Sequence, residues 1–569
     1  MTARWHFAPP SSAISDLAAA VGVPPLFAQC LVNRGCSDAQ VASEFLSPKL
    51  ARLSDPFLLP DMDRAVDRLL LTHKNSEPFV IFGDYDVDGV TATALLTEFF
   101  RALGWQCSYY LPHRLEEGYG LSADGVENCL TKHPVKLLLA VDCGSSAADV
   151  IASLAARGVE VLVLDHHQVS SLAPAAHSLV NPQLLTSNAH LKNLCSAGLA
   201  FKLAHAILKR CRDLNWPQAC THDLKQYLDF VALGTIADIV PLKDENRILV
   251  RCGLERLART ARIGLKALKK VAGLNGSIDC YGVSFQLAPR LNAAGRLETA
   301  LDALDLLLTT EEARAEFLAQ ALDAQNRERQ SIERKIADEV IEAVRTRFNP
   351  AADYAIVEGD ASWHLGVVGI VASRVVREFH RPTLILGSDG TDNWRGSGRS
   401  IDGFDLAASL RQCSDLLVKH GGHAMAAGVT ILATKLPDLR TRFNELARTT
   451  LSTEALLPLL KLDAEVRLSD LTFSFLKSLE QIEPFGQGNP CVQFAARGLR
   501  CTGTMRRLGS AEQHLRFNVT DGFATQQAVW WNCELTELPA SFDLAFAPEF
   551  SEYNGTLAIQ LRVLDLKPT

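Results

Sequence analysis

In the first half of this sequence, apolar runs repeatedly end in carboxylates or imidazoles. Phe79-Val80-Ile81-Phe82 leads into Gly83-Asp84-Tyr85-Asp86-Val87-Asp88-Gly89. Leu137 to Val141 leads into Asp142-Cys143-Gly144, and Val159 to Leu164 into Asp165-His166-His167. A further acid, Asp238, is embedded in Leu233-Gly234-Thr235-Ile236-Ala237-Asp238-Ile239-Val240, where a lone carboxylate needs a partner because its burial is costly. If these groups converge, the acids repel one another unless cations neutralise them. Mixed Asp and His ligands suit Mn²⁺ or Mg²⁺ better than zinc, and two such ions close together activate water and stabilise a leaving oxygen. Metal-assisted hydrolysis at phosphorus is the reaction class to which these residues point.

Each group also has a plainer reading. Asp84, Asp86 and Asp88 in an extended segment share one face, with Gly89 turning into a helix that begins near Val90, yet the same spacing also describes a solvated Asp-rich turn or the start of a calcium loop. No Glu stands at the closing position of such a loop. Asp142 alone reads equally as a helix cap, and either His alone as a hydrogen-bonded structural residue. Placement decides between these readings, because ligands in open α/β sheets bind beyond the carboxyl ends of the strands.

The elements that would position these groups follow the βαβ pattern of a mostly parallel sheet. Helices are expected over Val90–Leu103, Ala123–Lys132 and Ser146–Arg157. Residues 195–260 read as mainly helical. Glu311–Arg347, charged and free of Gly and Pro, reads as one long connecting helix. A second α/β unit starts at Tyr354 and ends near Thr450. Beyond a Leu-rich stretch, short strands with turn signals at Asp521-Gly522 and Asn554-Gly555 suit a small β-barrel. Residues 1–50 suggest short helices with Pro-rich breaks.

At 569 residues the chain is too long for one core. Its 14 Cys contain no C-x-x-C pair and read as reduced thiols of a cytoplasmic protein, and neither a signal-peptide pattern nor a membrane-length apolar run is expected. A net charge of −8 gives no global drive toward nucleic acid, so any such partner must be held by a local basic groove and by metals. Candidate anion sites are the Arg-containing loops Pro289–Arg296, with Arg290 and Arg296, and Arg395–Ser400, with Ser397 and Arg399, together with the glycine-rich Gly421–Gly428, which contains His423. Each of these is also compatible with a simple tight turn.

Taken in order, these segments resemble the DHH phosphoesterase superfamily, and within it the RecJ-type single-strand-specific exonucleases, from about residue 45 to the end. Asp84 to Gly89 resembles the first motif, Asp142 the second, Asp165-His166-His167 the third and Asp238 the fourth. Ser196-Ala197-Gly198 and Pro484-Phe485-Gly486-Gln487-Gly488-Asn489-Pro490 are also similar to segments of that family. The resemblance implies an α/β fold in which a parallel-sheet DHH domain is joined by a long helix to a smaller α/β DHH-associated domain across a cleft, followed by a C-terminal OB-fold β-barrel. The boundaries expected are an N-terminal helical segment 1–48, a DHH domain 49–305, a connecting helix 306–349, an associated domain 350–452 and an OB-fold 453–569.

By position the resemblance implies that Asp84, Asp86, Asp142, His166 and Asp238 hold two Mn²⁺ or Mg²⁺ ions. Asp88 either ligates one or holds the ligand loop, and His167 lies against the scissile phosphate or supports the ligands. Ser397, Arg399 and His423, with Arg114, Arg290 and Arg296 as further candidates, would bind substrate. The implied activity is 5′-to-3′ exonuclease action on single-stranded DNA in repair and recombination, by a cytoplasmic monomer. A RecQ-type helicase and a single-strand-binding protein are the implied partners, with no role for a membrane. A DHH enzyme of very short RNA or signalling dinucleotides, or a manganese pyrophosphatase, would not need the C-terminal barrel. A non-catalytic DNA-binding scaffold would not need the full set of acids.

In the C-terminal region, Arg497, Arg500, Arg506, Arg507 and Arg516 suggest a phosphate track, while Phe517, Trp530 and Trp531 are either base-stacking or core residues, with core favoured for the Trp pair. A chain lacking 455–569 is expected to keep cleavage of very short oligonucleotides.

Overall fold

The computed structural model describes residues 3–569 except 10, 115, 119, 298, 510, 554 and 555, and leaves out the side chains of 296, 297, 553 and 556. The chain forms two compact units. One comprises residues 46–327 and 483–490, the other 1–45, 328–482 and 491–569.

The first unit is built on a five-stranded parallel sheet in the spatial order Cys107–Tyr110, Phe79–Gly83, Leu137–Val141, Glu160–Leu164, Ser178–Val180. Its central strands are apolar at every position because both faces are covered. Phe79, Ile81, Leu137 and Leu139 point into one core, with the helices Met62–Lys74, Val87–Ala102, Ser196–Asp213 and Leu228–Ala237. Val80, Phe82, Leu138 and Ala140 point into a second, with Val126, Ile151 and Leu154 of the opposite layer. The chain leaves Phe79–Gly83 toward one edge of the sheet and then returns to its other side as Leu137–Val141, so a topological switch point lies between these two strands.

The helix Ala123–Lys132 has the expected bounds. The helix after the first acidic motif starts earlier than Val90, at Val87, because Asp86 caps it: its Oδ1 accepts from the backbone N–H of Asp88 at 2.9 Å and of Gly89 at 3.1 Å. Gly89 therefore lies inside the first helical turn and not in a turn before it. A Cβ there would meet the Asp84 carbonyl oxygen at 2.6 Å, so glycine lets the helix lie flush on the end of the strand. The third expected helix is Ala148–Ala156, and the long charged stretch is a single helix, Glu312–Arg347, which crosses from one unit into the other.

The second unit holds a mixed five-stranded sheet, ordered Leu417–Gly422, Ala426–Leu432, Asn393–Arg399, Thr383–Ser388, Ile356–Asp360. It also holds a barrel closed by five strands: Phe494–Leu508 pairs with both His514–Thr520 and Phe542–Tyr553, and Thr525–Trp530 and Thr556–Pro568 complete the circuit. The turn signal at Asn554-Gly555 lies outside the described residues. The N-terminal segment is not only helical. Arg4–Phe7 is a strand pairing in parallel with Leu459–Leu462, and Arg34 makes a buried ion pair with Asp463 at 2.8 Å. No single helix among the described residues is long and apolar enough to cross a membrane.

Candidate metal-dependent nuclease site

The sheet hydrogen-bond ladder continues one residue past three strands and fixes the first acid of each motif. Asp84 N–H donates to Val141 O at 3.2 Å, Asp142 N–H to Leu164 O at 3.0 Å and Asp165 N–H to Val180 O at 3.2 Å. Asp84 and Asp142 thus emerge side by side at the switch point. Asp142 adopts φ 65°, which turns the chain sharply at the strand end.

His166 ties the motifs together. Its Nε2 is 3.4 Å from Asp142 Oδ1, 3.6 Å from Asp238 Oδ2 and 3.8 Å from Asp88 Oδ2. Three sets of side chains bring ligand atoms within 4.8 Å of one another: Asp84, Asp86 and Asp142; Asp142, His166 and His167; and Asp88, His166 and Asp238. Asp142 belongs to two of these sets, as does His166, so the three sets form one continuous cluster that would hold two cations close together.

The electrostatics describe a site made for positive charge. Asp84, Asp88 and Asp142 are each 1% exposed. Burial and then the Asp86 charge push the Asp84 carboxyl up to about 8 and that of Asp88 up to about 6. Burial, then Asp88 and Asp86, push Asp238 up to about 9. Asp142, buried among Asp86, Asp88, Asp84 and Asp238, lies well above the usual carboxylate range. Burial and the neighbouring His167 lower His166 to about 4, so its ring is neutral and offers a lone pair. Both oxygens of Asp84, Oδ2 of Asp142, Oδ2 of Asp238 and Nε2 of His166 are buried without a hydrogen-bond partner. Unpartnered buried acceptors are costly, and divalent cations satisfy all of these at once.

Asp88 differs from its neighbours. Its Oδ2 accepts from Ser196 N–H at 2.6 Å and its Oδ1 from Ala197 N–H at 2.8 Å, at the N-terminus of the helix Ser196–Asp213. Gly234 brings a second helix against it, since a Cβ there would meet Asp88 Oδ1 at 2.8 Å. The extended spacing that put all three acids on one face does not hold, because Asp88 lies in the helix capped by Asp86.

Ser196, in a segment whose resemblance to the family implies no role for it, and several residues with no local signal support the ligands. Ser196 Oγ donates to Asp142 Oδ1 at 2.9 Å. Asp165 Oδ2 accepts from Ser145 N–H at 2.9 Å, Asn181 donates to Ser145 Oγ and to His167 O, and Gln183 donates to His166 O at 3.2 Å. Such contacts join residues far apart in sequence and leave no local pattern. Asp165 is the exception, as the first letter of its motif.

The candidate anion-binding residues divide. Arg114 lies over the Tyr85 ring, 5.1 Å from its centroid, beside the first motif. Arg290 is engaged within the fold, pairing with Asp323 at 2.9 Å and donating to Gln286 O at 2.6 Å. The Arg296 side chain lies outside the described residues. In the other unit, Ser397 and Arg399 sit on one strand opposite Gly428 and Ala426, and His423 lies exposed at the hairpin turn that leads into Ala426–Leu432. Arg399 Nη1 donates to Ser397 Oγ at 2.9 Å. Gly369, in the first turn of the helix Val368–Phe379, packs on both, a Cβ there meeting Ser397 Oγ at 2.9 Å and Arg399 Nη2 at 3.3 Å. A helix N-terminus, a hydroxyl and a guanidinium together suit a phosphate.

Comparison with known proteins bears on the whole chain. The family model described as DHH family, N-terminal domain, matches residues 78–235, the DHHA1 domain matches 352–449, and the RecJ OB domain matches 462–565. A single-stranded-DNA-specific exonuclease RecJ from Bacillus subtilis (strain 168) is 37% identical over 569 residues, spanning 99% of this chain and 70% of the relative. The protein of the same description from Escherichia coli (strain K12) is 32% identical, spanning 96% of each. Among solved structures, RecJ from Thermus thermophilus in complex with Mn²⁺ superposes with a TM-score of 0.85 at 30% identity, covering 100% of this chain and 80% of that one. Its Mg²⁺ complex gives 0.79, also at 30% identity, with coverage of 100% and 79%.

Proposed function

The chain belongs to the RecJ family of single-stranded-DNA-specific exonucleases within the DHH phosphoesterases, and from that premise we propose that it removes 5′-mononucleotides stepwise from the 5′ end of single-stranded DNA by two-metal hydrolysis. It is a hydrolase that uses Mn²⁺ or Mg²⁺. The observation that carries the two-ion reading is the set of buried, unpartnered carboxylate and imidazole atoms that meet around Asp142.

Asp84, Asp86, Asp142, His166 and Asp238 would hold the ions, and Asp88, whose oxygens are taken up by backbone N–H groups, holds the first motif against the helix at Ser196. When bound, the ions supply a water nucleophile at neutral pH and charge stabilisation for the leaving oxygen. Its bond to Asp165 favours the charged form of His167, which would then be the protein's own cation beside the scissile phosphate. Ser397, Arg399 and His423 would bind the 5′-phosphate of the strand, with Arg114 as a backbone contact in the nuclease unit. Arg290 and Arg296 remain candidates of the same kind, Arg290 only if it leaves Asp323. The chain divides functionally at the boundaries 1–48, 49–305, 306–349, 350–452 and 453–569. It acts in the cytoplasm as a monomer in recombination and repair, with a RecQ-type helicase exposing strands and a single-strand-binding protein presenting them.

The test is product analysis on strands labelled at either end. A 5′ label should leave as a mononucleotide at once in Mn²⁺, a 3′ label only at the end of the strand, and neither in EDTA. Early release of a 3′ label would overturn the polarity.

A further inference from the structure

The residue after Asp238 is strained and exposed at once. Ile239 has φ 60°, a conformation that a β-branched side chain adopts at a cost, and it is 70% exposed. Folding gains nothing from either property, so the surroundings must impose them. Leu242, 2% exposed, donates its N–H to Gln487 O at 2.7 Å. Asn246 donates to Pro241 O at 3.0 Å and to Asn193 O at 2.6 Å. The loop Glu483–Pro490 presses on the same turn through its glycines. A Cβ on Gly486 would meet Leu242 Cδ1 at 2.7 Å, and one on Gly488 would meet Pro241 Cβ at 3.1 Å. That loop is itself fixed by Asn489, which donates to Pro484 O at 2.8 Å. Residues 241 and 242 are therefore clamped from two sides, and the clamp holds Ile239 out in solvent one residue from a carboxylate of the metal cluster.

Resting on the nuclease reading above, we propose that Ile239 is a substrate-contacting residue whose side chain packs on the apolar surface of the nucleotide held at the metal centre. A nucleotide offers two such surfaces there, the base and the deoxyribose. Covering Ile239 with either recovers the burial that the folded protein forgoes, and the gain is realised only when a strand is bound.

The experiment uses the full chain with Ile239→Gly and Ile239→Ala, on oligo(dT) and on the same strand with an abasic 5′ nucleotide. Glycine tolerates φ 60° and should leave the melting temperature unchanged or raised. Mn²⁺ binding followed by electron paramagnetic resonance should stay within about twofold of the parent. KM for oligo(dT) should rise about fivefold to tenfold in both variants, the scale of one lost apolar contact. If the base is the surface, the abasic strand abolishes the difference between variant and parent; if the deoxyribose is, the difference persists. Unchanged KM in both variants, with metal-dependent cleavage intact, would overturn this role and leave the nuclease reading standing. Weakened Mn²⁺ binding would overturn it too, by showing that the turn acts through Asp238.

Discussion

Asp165 holds His167 twice: its Oδ1 accepts from the ring Nδ1 at 2.7 Å and from the backbone N–H at 3.1 Å. Burial opposes charge on both partners, yet the pair wins. The Asp165 bond raises His167 to about 9, while the His167 and Ser145 bonds hold the Asp165 carboxyl well below its usual range. The middle residue of the motif, His166, is driven the other way and stays neutral. One Asp-His-His triplet thus supplies an orienting anion, a neutral ligand and a cation.

Asp165→Asn should keep the fold and remove the charge-assisted partner of His167. NMR titration of metal-free protein should show the His167 pKa falling from about 9 toward its ordinary 6.5. Turnover near pH 8 should drop roughly 100-fold, the scale of a misassigned or misprotonated catalytic histidine.

Metal-free protein should lose stability as pH rises. The folded state raises the pKa values of Asp84, Asp142 and Asp238, so it favours their protonated forms and is increasingly destabilised as pH climbs from the unfolded value of 3.8 through about 8 and 9. The raised His167 acts in the same direction, its contribution being complete below 6.5 and gone above about 9. Asp165 opposes only at low pH, where its protonation removes stability. In EDTA the melting temperature should fall by at least roughly 5 °C between pH 6 and 9. Added Mn²⁺ should stabilise most at the alkaline end. Asp142→Asn should flatten the pH dependence in EDTA and abolish turnover in Mn²⁺, both readable by calorimetry and nuclease assay.

Arg399→Ala should raise KM for 5′-phosphorylated strands by about tenfold more than for 5′-hydroxyl strands, because the charge-assisted contact exists only with the former. Equal losses in steady-state assays would assign Arg399 to general backbone binding.

On the barrel, Arg506 pairs directly with Arg516 across neighbouring strands. Like charges in that register repel, and an anion between them reverses the sign. Among the described residues neither takes part in an ion pair, nor does Arg500, whereas Arg497 is neutralised by Glu465 and Asp543, and Arg507 is engaged by the carbonyls of Cys533 and Leu535. The double variant Arg506→Ala/Arg516→Ala should lower the slope of log KM against log salt for long strands by about 1.4, with cleavage of very short strands unaffected.

The parallel strands and their terminal acids were legible because continuous apolar runs between polar loops have few other uses, and the switch point then fixes where the acids meet. The helix start at Val87 was not, since Asp84, Asp86 and Asp88 alternate as an extended segment would, and only the cap geometry of Asp86 shows otherwise. Ser145 and Asn181 act through tertiary contacts that carry no sequence period, and the resemblance marks the segment of Ser196 without its bond to Asp142. Of the barrel aromatics, Phe517 takes the core alternative, whereas Trp531, for which the sequence favours core, is 48% exposed and edge-on to His514. The strand Arg4–Phe7 was missed because its partner, Leu459–Leu462, lies near the other end of the chain.

The loop 483–490 clusters with the nuclease unit, although the residues flanking it belong to the other unit, so a chain cut before residue 455 loses the acceptor of Leu242 N–H as well as the barrel. Full-length protein carrying Arg506→Ala/Arg516→Ala isolates the barrel's role without that loss.

During synthesis, the same loop emerges from the ribosome long after Asp238. A nascent chain carries its acidic cluster while Leu242 N–H still lacks its acceptor, Gln487 O. The turn that follows Asp238 can therefore take its final form only after residue 487 has been made, about 250 residues after the acid itself.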